Sequence, residues 1–328
     1  MAGHRLAPNC RRYTARTCYM LHVWINCALV VSACLGQLFA QNAAAPYNLL
    51  VSVDEVDLTF HATDVNGLPV NDLKLDELKL LDNGKPPSRI VAFQPLRDFP
   101  IRAGILMDTS VSVSEYLPRN RAIATEYADR LMRQEADQAF VMNFDFESRI
   151  AQPWTSDRSL LAAGLGSARS NTWNRMSGTA IIDSIYRACL NQFSRVNYGV
   201  SANFILLFSD GEDNASHAYL NEAVAMCQRT NTAVYAFRVH PESRFSDGPK
   251  TLAELASQTG GRIFNVEDSD AAIYEDLRTI EADLRDQYRL VYKPVDLKHD
   301  GAFHRIALKG PKRVKSMTVR SGYYAPSR

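Results

Sequence analysis

Hydrophobic positions along this chain follow three successive patterns. From about 49 to 95 they alternate with interruptions, as at Val51, Val53, Val56, Leu58 and Phe60, which is the period of half-buried strands. Asp64-Val65-Asn66-Gly67 supplies turn residues, and Asp82-Asn83-Gly84 contains an Asn-Gly pair that accepts positive φ in a tight hairpin. Short strands are predicted at 78–81 and 90–93. From about 98 the pattern changes to apolar runs separated by helical spacing. Strands are predicted at 101–107, 139–144, 150–151, 204–208, 233–239 and 262–266. Helices are predicted at 116–132, on Ile123, Tyr127, Leu131 and Met132, and at 180–193, on Ile181, Ile185, Ala188 and Cys189. Further helices are predicted at 219–229, at 252–258 before Gly260-Gly261, and at 271–285. The third regime returns to strands, at 288–292, 303–308 and 316–319.

The middle regime predicts an α/β fold with a doubly wound, mostly parallel sheet, because runs apolar throughout suit strands covered on both faces. The outer regimes predict a flanking β-sandwich-like domain built from the N- and C-terminal segments; two separate small β units are the alternative. The expected organisation is a leader at 1–40, a β-rich segment at 47–97, the α/β domain at 98–286 and a second β-rich segment at 287–325. Ligands of a doubly wound sheet sit beyond the carboxyl ends of its strands, where strand order reverses.

Composition adds a compartment. Arg5, Arg11, Arg12 and Arg16 precede an apolar stretch from about Tyr19 to Ala40, and no acidic residue occurs before Asp54. This is a secretory pattern, so the protein is expected to be exported to the periplasm, the outer membrane or the medium. Cleavage after Ala40, lipidation at Cys34 within Val31-Ser32-Ala33-Cys34, and a retained anchor are the three outcomes it allows. Cys34 is the expected route to a membrane. Four of the six cysteines lie in this leader. Cys189 and Cys227 remain, either as a disulfide or as two buried thiols. A formal net charge of +1 without a basic run excludes nucleic acid as the default partner.

The candidate chemistry lies at three predicted loops: Asp108-Thr109-Ser110-Val111-Ser112, Ser177-Gly178-Thr179-Ala180, and Phe208-Ser209-Asp210-Gly211. Asp108, Ser110, Ser112, Thr179 and Asp210 form an all-oxygen donor set, suited to a hard divalent cation, Mg²⁺ or Mn²⁺. Trp173, Arg175 and Glu212 lie nearby as candidate ligand contacts, with packing of the loop as the other role for the tryptophan and solvation for the acid. His217 and His240 lack ligand spacing, and Glu115 reads as a solvated helix-start acid.

The three elements, in this order, resemble the metal-ion-dependent adhesion site of von Willebrand factor A (vWA) domains. The wider chain is similar to the exported vWA-related family abundant in Acidobacteria. Thr63-Asp64-Val65-Asn66-Gly67-Leu68-Pro69-Val70 and Leu80-Leu81-Asp82-Asn83-Gly84-Lys85-Pro86 match its leading segment. Gln287-Tyr288-Arg289-Leu290 and Arg320-Ser321-Gly322-Tyr323-Tyr324-Ala325 match its tail. The resemblance implies a vWA/Rossmann-like sheet. It implies direct ligation by Ser110 and Ser112, direct or water-mediated ligation by Thr179, and partly water-mediated roles for Asp108 and Asp210. It further implies a protein partner that offers an Asp or Glu to the cation. His-Glu-x-x-His, Gly-x-Ser-x-Gly and the phosphate-binding loop are all missing. Binding is therefore expected rather than catalysis. The alternatives are a structural or assembly factor of an envelope complex with a rigidifying metal, and a Mg²⁺-dependent hydrolase.

Overall fold

The computed structural model describes residues 54–97, 99–133, 135–170, 178–194, 200–239 and 247–326. The leader with Cys34 and Ala40, the segment with Trp173 and Arg175, and His240 lie outside the described residues.

At the centre is a six-stranded sheet in the order β6-β5-β4-β7-β8-β9. Its strands are β4 (Ile101–Asp108), β5 (Gln138–Phe144), β6 (Ser148–Thr155), β7 (Ala202–Ser209), β8 (Thr232–Arg238) and β9 (Ile263–Asn265). All neighbours run parallel except β5 and β6, which pair as an antiparallel hairpin. Every residue of β4 is buried, as a strand with helices on both faces requires.

Alternate side chains feed two cores. Ile105, Met107, Phe204, Leu206 and Phe208 pack on one face with Tyr127 of α1 (Leu117–Leu131), Leu161 of α2 (Arg158–Gly166) and Leu277 and Leu284 of α6 (Asp270–Arg285). Leu106, Ile205 and Leu207 pack on the other with Ile185 of α3 (Ile181–Ala188), Val224 of α4 (Leu220–Arg229) and Leu252 and Leu255 of α5 (Gly248–Thr259). Sandwiching a sheet this way removes nearly all of its apolar surface from water, the dominant stabilising term.

Sheet order turns in opposite directions from β4 and β7. The chain passes from β4 through α1 to β5, and from β7 through α4 to β8. The crevice between the carboxyl ends of β4 and β7 is therefore the switch point.

The remaining strands are antiparallel. One sheet has the order β12-β1-β10-β3, from β1 (Val56–Thr63), β3 (Arg89–Pro95), β10 (Gln287–Lys293) and β12 (Ser316–Val319). The other has the order β13-β11-β2, from β2 (Lys79–Asp82), β11 (Phe303–Lys309) and β13 (Gly322–Tyr324). Leu58, Phe60, Leu290 and Tyr292 from the first share a core with Leu80, Ile306 and Tyr323 from the second. Strands before and after the parallel sheet thus pair directly, as in β1 with β10.

Several local expectations need correction. The helix expected over 180–193 is α-helical only to Ala188, and Cys189–Phe193 forms a π-helical turn. The strand at 150–151 is the middle of an eight-residue edge strand. A helix at Arg158–Gly166 and a strand at Gly322–Tyr324 lack a clear hydrophobic period and were not expected. Cys189 and Cys227 form a disulfide, with Cα atoms 5.3 Å apart. Among the described residues, no helix is long and apolar enough to cross a membrane.

Candidate metal centre

β4 ends at Asp108, and the chain turns at once. Asp108 Oδ1 accepts the Ser110 N–H at 2.9 Å, closing an Asx-type turn. The Thr109 N–H and Oγ1 both donate to Phe144 O, at 2.7 and 3.0 Å, which fastens the turn to the end of β5. Ser110 Oγ and Ser112 Oγ are then 3.1 Å apart. Ser110 is buried and Ser112 is exposed, so this pair leads from the strand end towards solvent.

β7 ends beside it. Ser209 Oγ donates to Asp108 Oδ2 at 2.6 Å and accepts from the Gly211 N–H at 3.1 Å. One hydroxyl thus stitches the two strand-end loops together. Asp210 Oδ1 accepts the Glu212 N–H at 3.0 Å. Gly211 has a φ of 84°, and a Cβ there would sit 2.3 Å from Gly248 O. The turn needs both glycine's backbone freedom and its missing side chain, because the start of α5 packs against it.

The third loop is zipped to the residues that follow Asp210. The Thr179 N–H donates to Asn214 Oδ1 at 2.8 Å, and Thr179 O accepts the Asn214 and Ala215 N–H groups at 3.1 and 3.2 Å. Asp213 Oδ1 accepts the Ile181 N–H at 3.2 Å, and Ser216 Oγ accepts the Asp183 N–H at 3.0 Å. Asp183 Oδ1 in return accepts the His217 and Ala218 N–H groups at 3.1 and 2.8 Å. Ser209, Asn214 and Ser216 were not singled out by sequence reasoning. Their only signal was the polar run that begins at the Ser209-Asp210-Gly211 turn.

Burial is the largest influence on Asp108 and pushes its carboxyl up to about 7, against hydrogen bonds from Ser209 and Ser110 and with the Asp210 charge adding to the rise. Among the described residues, no ion pair reaches Asp108 or Asp210. Two buried carboxylates at one crevice without a basic partner are costly as a dianion. Among the described residues, no group of three His, Cys, Asp or Glu side chains could hold a metal, so any cation here must draw on the hydroxyls as well. That donor chemistry fits a hard dication and not a soft one.

Glu212 is half-buried on the Asp210 loop, and Glu115 is exposed. His217 is exposed and lies beside Asp183, with Nδ1 3.3 Å from Oδ2. Trp154 packs edge-on against Phe140 and Phe193, with the Arg102 guanidinium 4.1 Å above its ring. It is a packing residue of the β6 edge.

No family profile and no curated protein matches the sequence. Among solved structures, the conserved hypothetical protein BatB from Bacteroides thetaiotaomicron is similar at 18% identity and a TM-score of 0.45, over 55% of this chain and 97% of that one. An aerotolerance-related membrane protein from Bacteroides fragilis is similar at 18% identity and a TM-score of 0.44, over 55% and 98%. Proximal thread matrix protein 1 from the mussel byssus, with a zinc-occupied MIDAS motif, is similar at 16% identity and a TM-score of 0.48, over 61% and 50%.

Proposed function

We propose that this protein is an exported module that captures a protein partner through a divalent cation. Asp108, Ser110, Ser112, Thr179 and Asp210 would hold Mg²⁺ or Mn²⁺ at the switch point. The observation that carries the reading is the buried Asp108–Asp210 pair, which has hydroxyls around it and no basic side chain ion-paired to it among the described residues.

When bound, the cation would supply an exchangeable coordination position that a carboxylate can take. The chain's own residues set the terms. Ser209 and the Ser110 N–H fix the Asp108 carboxylate, so its orientation does not have to be organised on binding. Exposed Ser112 and Val111 border the open side, where an Asp or Glu of the partner would approach. Trp173, Arg175 and Glu212 remain the proposed contacts around it.

The alternative of a purely rigidifying metal is less well supported, because the Thr179 loop is already held by Asp213, Asn214 and Ser216. The Cys189–Cys227 disulfide supports export, since such bonds persist in oxidising compartments.

The test is calorimetry with Mg²⁺ and Mn²⁺. The wild-type protein should bind one ion, and Asp108→Ala should abolish binding while the circular dichroism spectrum is retained. Unchanged affinity in Asp108→Ala overturns the assignment. Pull-down from an envelope fraction, with and without chelator, then separates capture from a structural role.

A further inference from the structure

A second built site lies on the antiparallel unit, at the ends of β2 and β11. Asp82 is buried there and gathers three donors. Oδ2 accepts from the Tyr292 and Tyr323 hydroxyls, each at 2.8 Å, and Oδ1 is 2.8 Å from His304 Nδ1. Burial first, together with the Asp82 charge, drives both phenols far above their usual range, so they remain donors. A carboxylate can only accept, so a hydrogen of His304 sits on Nδ1, and in the neutral imidazole Nε2 is the nitrogen left to accept. No hydrogen bond to Nε2 forms among the described residues. His304 is 6% exposed and forms part of the wall of a cleft of about 270 Å³.

The cleft's chemistry narrows its ligand. Lys85 is paired with Asp296 at its edge. Asp300 Oδ1 accepts the Ala302 N–H at 2.9 Å, and Lys298 adds a second ammonium. Both signs are therefore interleaved, and neither an anion nor a cation meets a uniform field. Apart from the His304 imidazole the lining has no aromatic ring, and Val295 and Ala302 are its apolar parts, so an apolar ligand gains little. Among the described residues no group of three His, Cys, Asp or Glu side chains could hold a metal, so the cleft's acids and His304 do not form such a site. The volume falls just below the range of about 300–1,000 Å³ that suits drug-sized molecules. What remains is a small neutral ligand whose groups both donate and accept.

We infer that this cleft binds a hydroxyl-rich neutral ligand of monosaccharide size, with one hydroxyl donating to His304 Nε2 and others meeting Lys298 and Asp300. Asp82, Tyr292 and Tyr323 are positioning residues that hold the imidazole in the accepting tautomer.

The experiment is saturation-transfer NMR on the exported protein, with methyl glycosides of glucose, galactose, mannose and N-acetylglucosamine as probes, and glycine and inorganic phosphate as charged competitors. At least one glycoside should show transfer and saturable binding. Lys298→Ala, a rim change that leaves the fold untouched, and His304→Gln should each weaken it about tenfold, the scale of one lost hydrogen bond. Folding of each variant is checked by near-ultraviolet circular dichroism. The inference is overturned if no glycoside binds, if only glycine or phosphate binds, or if binding survives unchanged in Lys298→Ala.

Discussion

Ser209 shows how the candidate metal centre depends on a residue outside the expected ligand set. Its hydroxyl fixes Asp108 from a strand 101 residues away in sequence. Ser209→Ala would leave that buried oxygen without its donor. The expected result is cation affinity lower by about tenfold or more, the usual cost of removing such a supporting partner, and calorimetry with Mn²⁺ would measure it. Affinity equal to wild type would mean that Asp108 needs no support. Asp108, Ser110 and Ser112 were legible in the sequence because their relation is local: one turn sets all three. Ser209 was not, because its meaning depends on which strand lies beside β4. Asp213, Asn214 and Ser216 looked like a solvated polar run, and their backbone partners at Thr179, Ile181 and Asp183 appear only once the loops meet.

At the scale of elements, the long apolar strands could be read directly. β4, β7 and β8 are buried almost throughout, and each carries an unbroken apolar run, at 103–107, 204–208 and 233–237. Short or marginal elements were harder. α2 has only Leu161, Gly164 and Leu165 buried, so its face barely shows in the pattern. The break from α3 into a π-turn leaves no compositional mark, since Cys189 and Phe193 are buried in either geometry. The disulfide joins this π-turn to α4. Closing a loop with a sequence separation of 38 should stabilise the fold by about 4 kcal/mol through the unfolded chain's entropy. Urea unfolding of wild type and of the Cys189→Ser/Cys227→Ser variant should differ by that amount. Equal midpoints would mean that the bond contributes nothing.

At the scale of the whole molecule, the two kinds of sheet meet through buried polar groups. Asp283 on α6 is the hub. His61 Nδ1 of β1 lies 2.8 Å from it, Arg262 donates to it, and Arg262 also reaches Thr318 of β12 at 2.9 Å. Burial alone would raise the Asp283 carboxyl, but the His61 and Arg262 contacts override it and hold it below its usual range. A depressed carboxyl stabilises the fold above its unfolded value of about 4 and loses that contribution as pH falls through the folded value. Asp283→Asn should therefore cost about 2 kcal/mol near neutrality, short of the fully buried case because Arg262 is partly exposed. The gap should close as pH drops below about 4. A gap that does not change with pH in denaturant titrations would remove Asp283 from the linkage. Nearby, Arg320 donates to Gln228 O and Asp57 O, and Gln228 Nε2 donates to Gly322 O, so the tail strand is tied to α4 and to β1. None of this seam was visible in the sequence, because each contact joins residues from different regimes.

One topological detail bears on the order in which the chain folds. β3 and β10 are antiparallel neighbours, with Pro95 opposite Tyr288, so the whole parallel-sheet unit stands where a hairpin turn would stand. Closing that ladder around a disordered segment of about 190 residues is entropically costly. Closing it around a segment that has already condensed costs little more than a short turn, because the ends of β4 and α6 are then held at the rim. Condensation of the α/β unit should precede formation of the β3–β10 ladder. In pulsed hydrogen exchange during refolding, amides of β4 and β7 should gain protection before those of β10, and the reverse order would contradict this nucleation route.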